Sequence, residues 1–338
     1  MELLDRIEET SATPKYLQVV NAIISDIEAG VLKRGHRIPS INETSEMYYL
    51  SRDTIEKAYK VLRKRGVISS VKGKGCYISH TFASDKIRVL LLFNKLSAYK
   101  KTVYYSLLKS LGEDAVVDLQ IHHYDGKICE NFIKESLGKY QYYVIMPHFY
   151  ANVEAAMQTI EMIPPEKLLL LDKNIESYGG DCAAIYQDFE RDIRAALYSG
   201  IDLLAKYKKL VLVYPKEVSY PIEIVKGFRH FCRETNFEHS IISNMKEEPL
   251  AAKTAYIVLE ESDLADLITQ SRAQSMMLGK DIGLISYNDT PLKKILDNGI
   301  TVISTDHEKM GETAAALIKH KLRERIHNPF TLIRRNSL

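Results

Sequence analysis

"GHRIPSINETSEMYYLSRDTIEKAYKVLRKRG", Gly35–Gly66, runs directly into "VISSVKGKGCYIS", Val67–Ser79. The first stretch carries two helix starts. Pro39-Ser40 opens a short helix, and Ser51 caps another that begins at Arg52, since a serine oxygen at that position accepts from the free amides of the first turn. In the second helix Ile55, Ala58, Tyr59 and Leu62 share one face, opposite Asp53, Lys57, Lys60 and Lys64. A merely solvated charged face has the same pattern. The context adds more: Ser51, Arg52 and Thr54 crowd donors at the N-terminus of the second of two closely spaced helices, the end that reaches base edges in a major groove.

The stretch that follows reads strand ("VISSV"), basic glycine turn, strand ("CYIS"), which is a hairpin. A phosphate-cradling loop would need glycine where Ile68 stands and Ser or Thr where Gly75 stands. Upstream, Pro14 opens an amphipathic helix with Val19, Val20, Ile23, Ile24 and Ile27 on its buried face, stopped by Gly30. Three helices and a hairpin make a winged helix. The formal net charge of +2 is unevenly spread, with eleven Lys/Arg against four Asp/Glu in 31–80 but two against six in 1–30. Positive charge confined to one segment points to a docking surface.

Residues 14–79 resemble the GntR family of bacterial transcription regulators. The resemblance rests on Pro14-Lys15-Tyr16 with Gln18, on "GHRIPS" with Asn42-Glu43, on "LSRDTI" and on "GVISSVKGKGCYI". It implies operator binding by a dimer, and places Arg37, Ser40, Asn42, Ser51, Arg52, Thr54, Lys57, Lys72, Gly73 and Lys74 at the DNA. Glu56 stands where many members have arginine. Arg52 can bond guanine O6 and N7 together, and Asn42 suits adenine. Ser51, Thr54, Lys72 and the Gly73 amide suit phosphates, which set register. Gly73 and Gly75 permit positive φ.

After "HTFASDK" (80–86) short apolar runs alternate with amphipathic stretches. The expected strands are Ile87–Phe93, Val117–His123, Tyr142–Met146, Leu168–Leu171, Ala183–Tyr186, Leu210–Tyr214, Thr254–Leu259, Ile282–Ser286 and Thr301–Ser304. Unbroken apolar strands with helical crossovers mean an α/β fold with parallel sheets. Nine strands exceed one compact sheet and favour two lobes. "LLLLDKN", "AAIYQDFERD", "VKGFRHF", "IGLISYNDTPL", "GITVISTDHEKMGETAAALI" and "LIRRNSL" follow the order seen in LacI/GalR-type regulators, whose core resembles periplasmic sugar-binding proteins. A GntR-type head on such a core is similar to the arabinose-responsive repressor subgroup.

That resemblance implies a winged head at 1–79, a linker at 80–86 and a two-lobed, dimerising effector domain at 87–338. Its N-lobe would hold 87–175 and 306–326, and its C-lobe 176–305 and 327–338. The implied ligand contacts are Asn94, Tyr99, His148, Asp172, Asp188, Tyr220, Glu223, Glu261 and Asn288, near strand C-termini where open α/β sheets bind ligands. Ile224 replaces an expected arginine, with Glu223 or Lys226 as possible substitutes. Neutral sugars need amides, carboxylates and aromatic faces; Tyr99, Tyr104, Tyr105, Phe149, Tyr150 and Tyr220 fit a pentose or deoxyhexose such as arabinose or fucose.

The expected function is a sugar-responsive regulator of a carbohydrate operon, a homodimer on double-stranded operator DNA, without enzymatic activity. A fusion to an aminotransferase-like enzyme is the competing reading, and would need a longer chain and a cofactor lysine. No cofactor is expected. Cys76, Cys129, Cys182 and Cys232 form no CxxC pair, which argues against disulfides and zinc. His122 and His123 are expected on opposite faces of one strand, where a single metal cannot collect them. Apolar runs such as "VLLLF" are too short to span a bilayer, so a cytoplasmic location is expected.

Overall fold

The computed structural model describes residues 13–28, 31–71, 73–79, 86–175, 181–215 and 220–338. Gly30, Lys72 and residues 80–85 of the linker lie outside them. The head contains α1 (Lys15–Glu28), β1 (Arg37–Ile38), α2 (Ile41–Tyr48), α3 (Arg52–Lys64), β2 (Ile68–Val71) and β3 (Gly75–Ile78). Ser40 and Glu43 form a reciprocal capping box on α2, and Ser51 Oγ accepts from the Thr54 amide at the start of α3. Ile55, Ala58, Tyr59 and Leu62 are buried against α1 residues including Val20 and Ile24. The Tyr59 hydroxyl lies 2.8 Å from Thr44 Oγ1 and donates to the Pro39 carbonyl at 2.7 Å, fixing the angle between α2 and α3. The two-residue β1, absent from the sequence reading, pairs antiparallel with β3 and completes a three-stranded sheet.

The other side of α1 meets the core, where Leu17 joins the cluster of Leu137 and Ile163. A Cβ on Gly138 would lie 2.1 Å from Ile24 Cδ1, so only glycine lets the head approach this closely.

The first lobe contains β4 (Ile87–Phe93), α4 (Ala98–Leu111), β5 (Ala115–Ile121), α5 (Gly126–Ser136), β6 (Tyr142–Ile145), α6 (Val153–Ile160), β7 (Leu168–Asp172) and β8 (Ala183–Tyr186). The chain then crosses to α7 (Phe189–Ser199), α8 (Ile201–Leu204), β9 (Lys209–Val213), α9 (Glu223–Thr235), β10 (Glu238–Ile242), β11 (Thr254–Val258), α10 (Glu261–Ala273), β12 (Gly283–Tyr287), α11 (Pro291–Ile295) and β13 (Thr301–Thr305). It returns through α12 (His307–His320) and β14 (Arg325–His327), and ends in the second lobe with β15 (Phe330–Ile333).

The first sheet has the order β14-β8-β7-β6-β4-β5 and the second β10-β9-β11-β12-β13-β15. All pairings are parallel except β13 with β15. Leu90–Phe93 of β4 are almost fully buried because helices cover both faces of the sheet.

Two expectations change. A lobe boundary at 175/176 would put β8 in the second lobe, whereas β8 pairs with β7 and β14 in the first, so the crossing follows Tyr186. His122 and His123 lie beyond β5: His122 is buried and His123 sits in a turn at φ 49°. Their separation comes from that turn, and no strand alternation is involved.

Where the lobes join, Asn328 is buried, its side-chain amide donating to Thr305 Oγ1 at 2.7 Å and Asp306 O at 2.9 Å. Its backbone amide donates to Tyr186 O at 2.8 Å. One side chain and its backbone thus tie the three crossing segments together.

Candidate functional site

The head presents a continuous polar edge. Arg37, Ser40, Asn42, Ser51, Arg52, Lys57, Gly73 and Lys74 are exposed and Thr54 is half-buried. Gly73 and Gly75 have φ of 78° and 108°, and the Lys74 amide closes the wing turn onto Val71 O at 3.0 Å. A Cβ on Gly75 would lie 3.1 Å from Arg37 Nε, so β1 carries its arginine across the wing backbone. Arg63, unremarked in the sequence, bonds Ser70 Oγ at 3.2 Å and braces the wing against α3. Lys57 departs from expectation: its ammonium sits 4.1 Å from the Tyr16 ring centroid, directed at α1. Ser40 and Ser51 are engaged in helix caps.

The second site is the cleft between the lobes, a concave site of the kind that takes small ligands. Loops at strand C-termini build it. The sequence-derived Asn94, Tyr99, His148, Asp172, Tyr220 and Asn288 all line it. Asp188 does not, because it is exposed and caps α7 by accepting from the Arg191 amide at 3.2 Å. Glu223 lies outside the lining while Ile224 enters it. Glu261 lines only an adjoining recess, shared with Glu260. Of the aromatic set, Tyr104 packs on the first lobe's core, Phe149 packs beside His122, Tyr105 is exposed, and Tyr150 stacks on Tyr124 at 4.2 Å.

Asp172 organises the cleft. It sits at the end of β7 at φ 72°, a left-handed conformation that aspartate tolerates better than most residues. His148 Nε2–H donates to its Oδ2 at 2.9 Å and the Gln187 amide to its Oδ1. Burial would raise this carboxyl, but those hydrogen bonds and the nearby Lys100 charge hold it below the usual carboxylate range. His148 is pushed down by burial and stands as the neutral donor. His307 packs on Tyr99 with the rings tilted by 38° and 4.9 Å between centroids, and burial lowers it to about 4. Tyr220 donates to Glu260 Oε1 at 2.7 Å and burial raises its hydroxyl.

Sequence reasoning missed Lys100, Gln187, Tyr287 and His307. Gln187 and Tyr287 directly precede the chosen Asp188 and Asn288, and Lys100 follows Tyr99, whereas His307 adjoins no chosen residue. Tyr287 Oη and Gln187 Oε1 are buried without a hydrogen-bond partner, both in the cleft wall. Such atoms cost free energy until a partner arrives. Among the described residues there is no group of three His, Cys, Asp or Glu side chains placed to hold a metal, and no helix long and apolar enough to cross a membrane.

Residues 15–78 match the family described as bacterial regulatory proteins, gntR family, and residues 204–338 match a periplasmic binding protein-like domain. The HTH-type transcriptional repressor YtrA of Bacillus subtilis is 34% identical over 96 residues, 28% of this chain and 70% of that protein. The arabinose metabolism transcriptional repressor of Geobacillus stearothermophilus is 21% identical across 96% of this chain and 98% of its own. Among solved structures, the trehalose repressor from Escherichia coli superposes with a TM-score of 0.59 at 16% identity, over 74% of this chain and all of that one.

Proposed function

Since the chain belongs to the gntR family of bacterial regulators, we propose that it is a transcriptional repressor of a carbohydrate-utilisation operon whose operator affinity is set by a monosaccharide in the interlobe cleft. One observation carries this reading: a winged helix with an open basic edge precedes, in one chain, a two-lobed core whose cleft holds a built polar site. The 96% coverage by the arabinose metabolism repressor supports a carbohydrate effector, here of pentose or deoxyhexose size. The cleft acts by binding, without catalysis, and the protein acts as a homodimer in the cytoplasm. Tyr105, 63% exposed on α4, and Val116, 41% exposed on the edge strand β5, offer apolar surface for the dimer contact.

A sugar held by Asp172 and Asn94 of one lobe and by Tyr287 and Asn288 of the other bridges the cleft. Its binding free energy favours whichever lobe arrangement lets both sets reach it. Only unequal affinity for two arrangements can shift the heads, and a hundredfold loss of operator affinity corresponds to a coupling of about 2.7 kcal/mol. The test is a thermal-shift panel of monosaccharides on the full chain, followed by operator binding with and without the hit. A sugar that raises the midpoint and weakens operator binding is expected; a panel without any stabilising sugar would end the sensor reading.

A further inference from the structure

We propose that the cleft takes a sugar acid, a monosaccharide bearing one carboxylate, and that Lys100 is the residue that meets that carboxylate. The proposal rests on the sensor reading and refines its ligand class. Lys100, in the first turn of α4, is 4% exposed and lines the cleft. Its ammonium has three donors, and its one hydrogen bond among the described residues is to Asn94 Oδ1. It makes no ion pair with a described carboxylate. Asp172, the carboxylate of the cleft lining, is already committed to His148 and Gln187. The second lysine of the lining, Lys95, lies 4.0 Å from Glu260.

A buried cation with open donors is costly until an anion arrives. A neutral hydroxyl would satisfy one donor and leave the charge. A carboxylate supplies charge-assisted hydrogen bonds and cancels the charge, and the N-terminus of α4 adds positive potential at the same place. A phosphate dianion would bring a second negative charge for which the described residues of the lining hold no second unpaired cation. Tyr287 Oη and Gln187 Oε1 are left to meet ring hydroxyls, so the ligand remains a sugar.

The groups facing Lys100 are Asp172, Lys95, His122, His148 and His307. Burial lowers all three histidines, so none titrates above neutrality. Burial also lowers Lys100 to about 8. Lys293, also lowered to about 8, donates to the Tyr287 and Asn288 carbonyls and titrates in the same range.

The experiment is calorimetry on the full-length protein with D-galacturonate, D-glucuronate and L-arabinonate, each against D-galactose, D-glucose and L-arabinose. At least one acid should bind about tenfold or more tighter than its aldose. That affinity should fall as pH rises from 7 to 9, and Lys100→Met should remove both the preference and the pH dependence. The variant's thermal midpoint at pH 7 is the folding control; if it does not fold, Lys293→Met takes its place and should leave both the acid preference and its fall with pH intact, their loss overturning the assignment to Lys100. Equal binding of acid and aldose in every pair, or an acid affinity untouched by Lys100→Met, overturns the proposal and leaves the sensor reading standing. Binding of neither class overturns both.

Discussion

Arg335 grips Asp289 with two parallel hydrogen bonds of 2.9 and 2.7 Å, holding the loop after β12 that carries Asn288 into the cleft. The pair is only 14% and 20% exposed, and Arg335 also donates to Ile300 O at 2.9 Å. The pair buttresses from behind the loop that carries Asn288 into the cleft, without lining the cleft itself.

Breaking this pair strands a mostly buried charge. Arg335→Ala should lower unfolding stability by about 3 kcal/mol, and Asp289→Ala by a similar amount, with the double variant well short of the sum. Urea unfolding of the four proteins measures the coupling; strict additivity would mean that the two residues act independently.

Operator recognition should divide between helix and wing. Arg52→Ala should cost about 1–3 kcal/mol of specific binding and relax the preference at one base pair, whereas Lys74→Ala should weaken all sequences alike and reduce the salt slope by about 1. Salt-dependent titrations on specific and scrambled duplexes separate the two. Specific binding that survives Arg52→Ala but not Lys74→Ala would place readout in the wing.

A close helix contact in the first lobe depends on Gly311. A Cβ there would lie 2.5 Å from Val103 O and 2.8 Å from Leu107 N, so α12 meets α4 backbone to backbone. Gly311→Ala should force the helices apart and cost about 1–3 kcal/mol, read as a lower thermal midpoint. An unchanged midpoint would show that α12 can slide without loss.

Acidification should destabilise the first lobe through His122. Its imidazole is fully buried, donates through Nε2–H to Met146 O at 3.0 Å, and is lowered by burial to about 4. Between about 6.5 and about 4 the unfolded chain binds this proton and the native protein does not, so stability falls as pH drops through that window. Asp192, raised by burial to about 6, acts in the opposite sense over much of the same range. Comparison with His122→Gln isolates the histidine: the variant should lose less stability between pH 6.5 and 4.5, and an identical pH profile would refute the assignment.

The apolar, fully buried strands were legible at once. β4 and β8 have the bounds read from sequence, because continuous apolar runs have few alternatives to burial on both sheet faces. The edge strands were not. β10 reads "EHSII" and β14 "RIH", both half-solvated, and what makes them strands is pairing with β9 and β8. Asn94, Tyr99, His148, Asp172, Tyr220 and Asn288 were chosen by motif and do line the cleft, whereas Asp188 was lost to a helix cap that resembles a ligand contact in sequence.

Local chemistry therefore determined the winged head, the alternation of strand and helix, the serine caps and the glycine turn of the wing, since each depends on residues within a few positions of one another. Only the tertiary structure decided the lobe that owns β8, the turning of Lys57 toward Tyr16, and the burial of Lys100 beside a carboxylate already satisfied by other partners. Those outcomes depend on segments tens of residues apart in the chain, and whether a charge has a partner is fixed only when the segments meet.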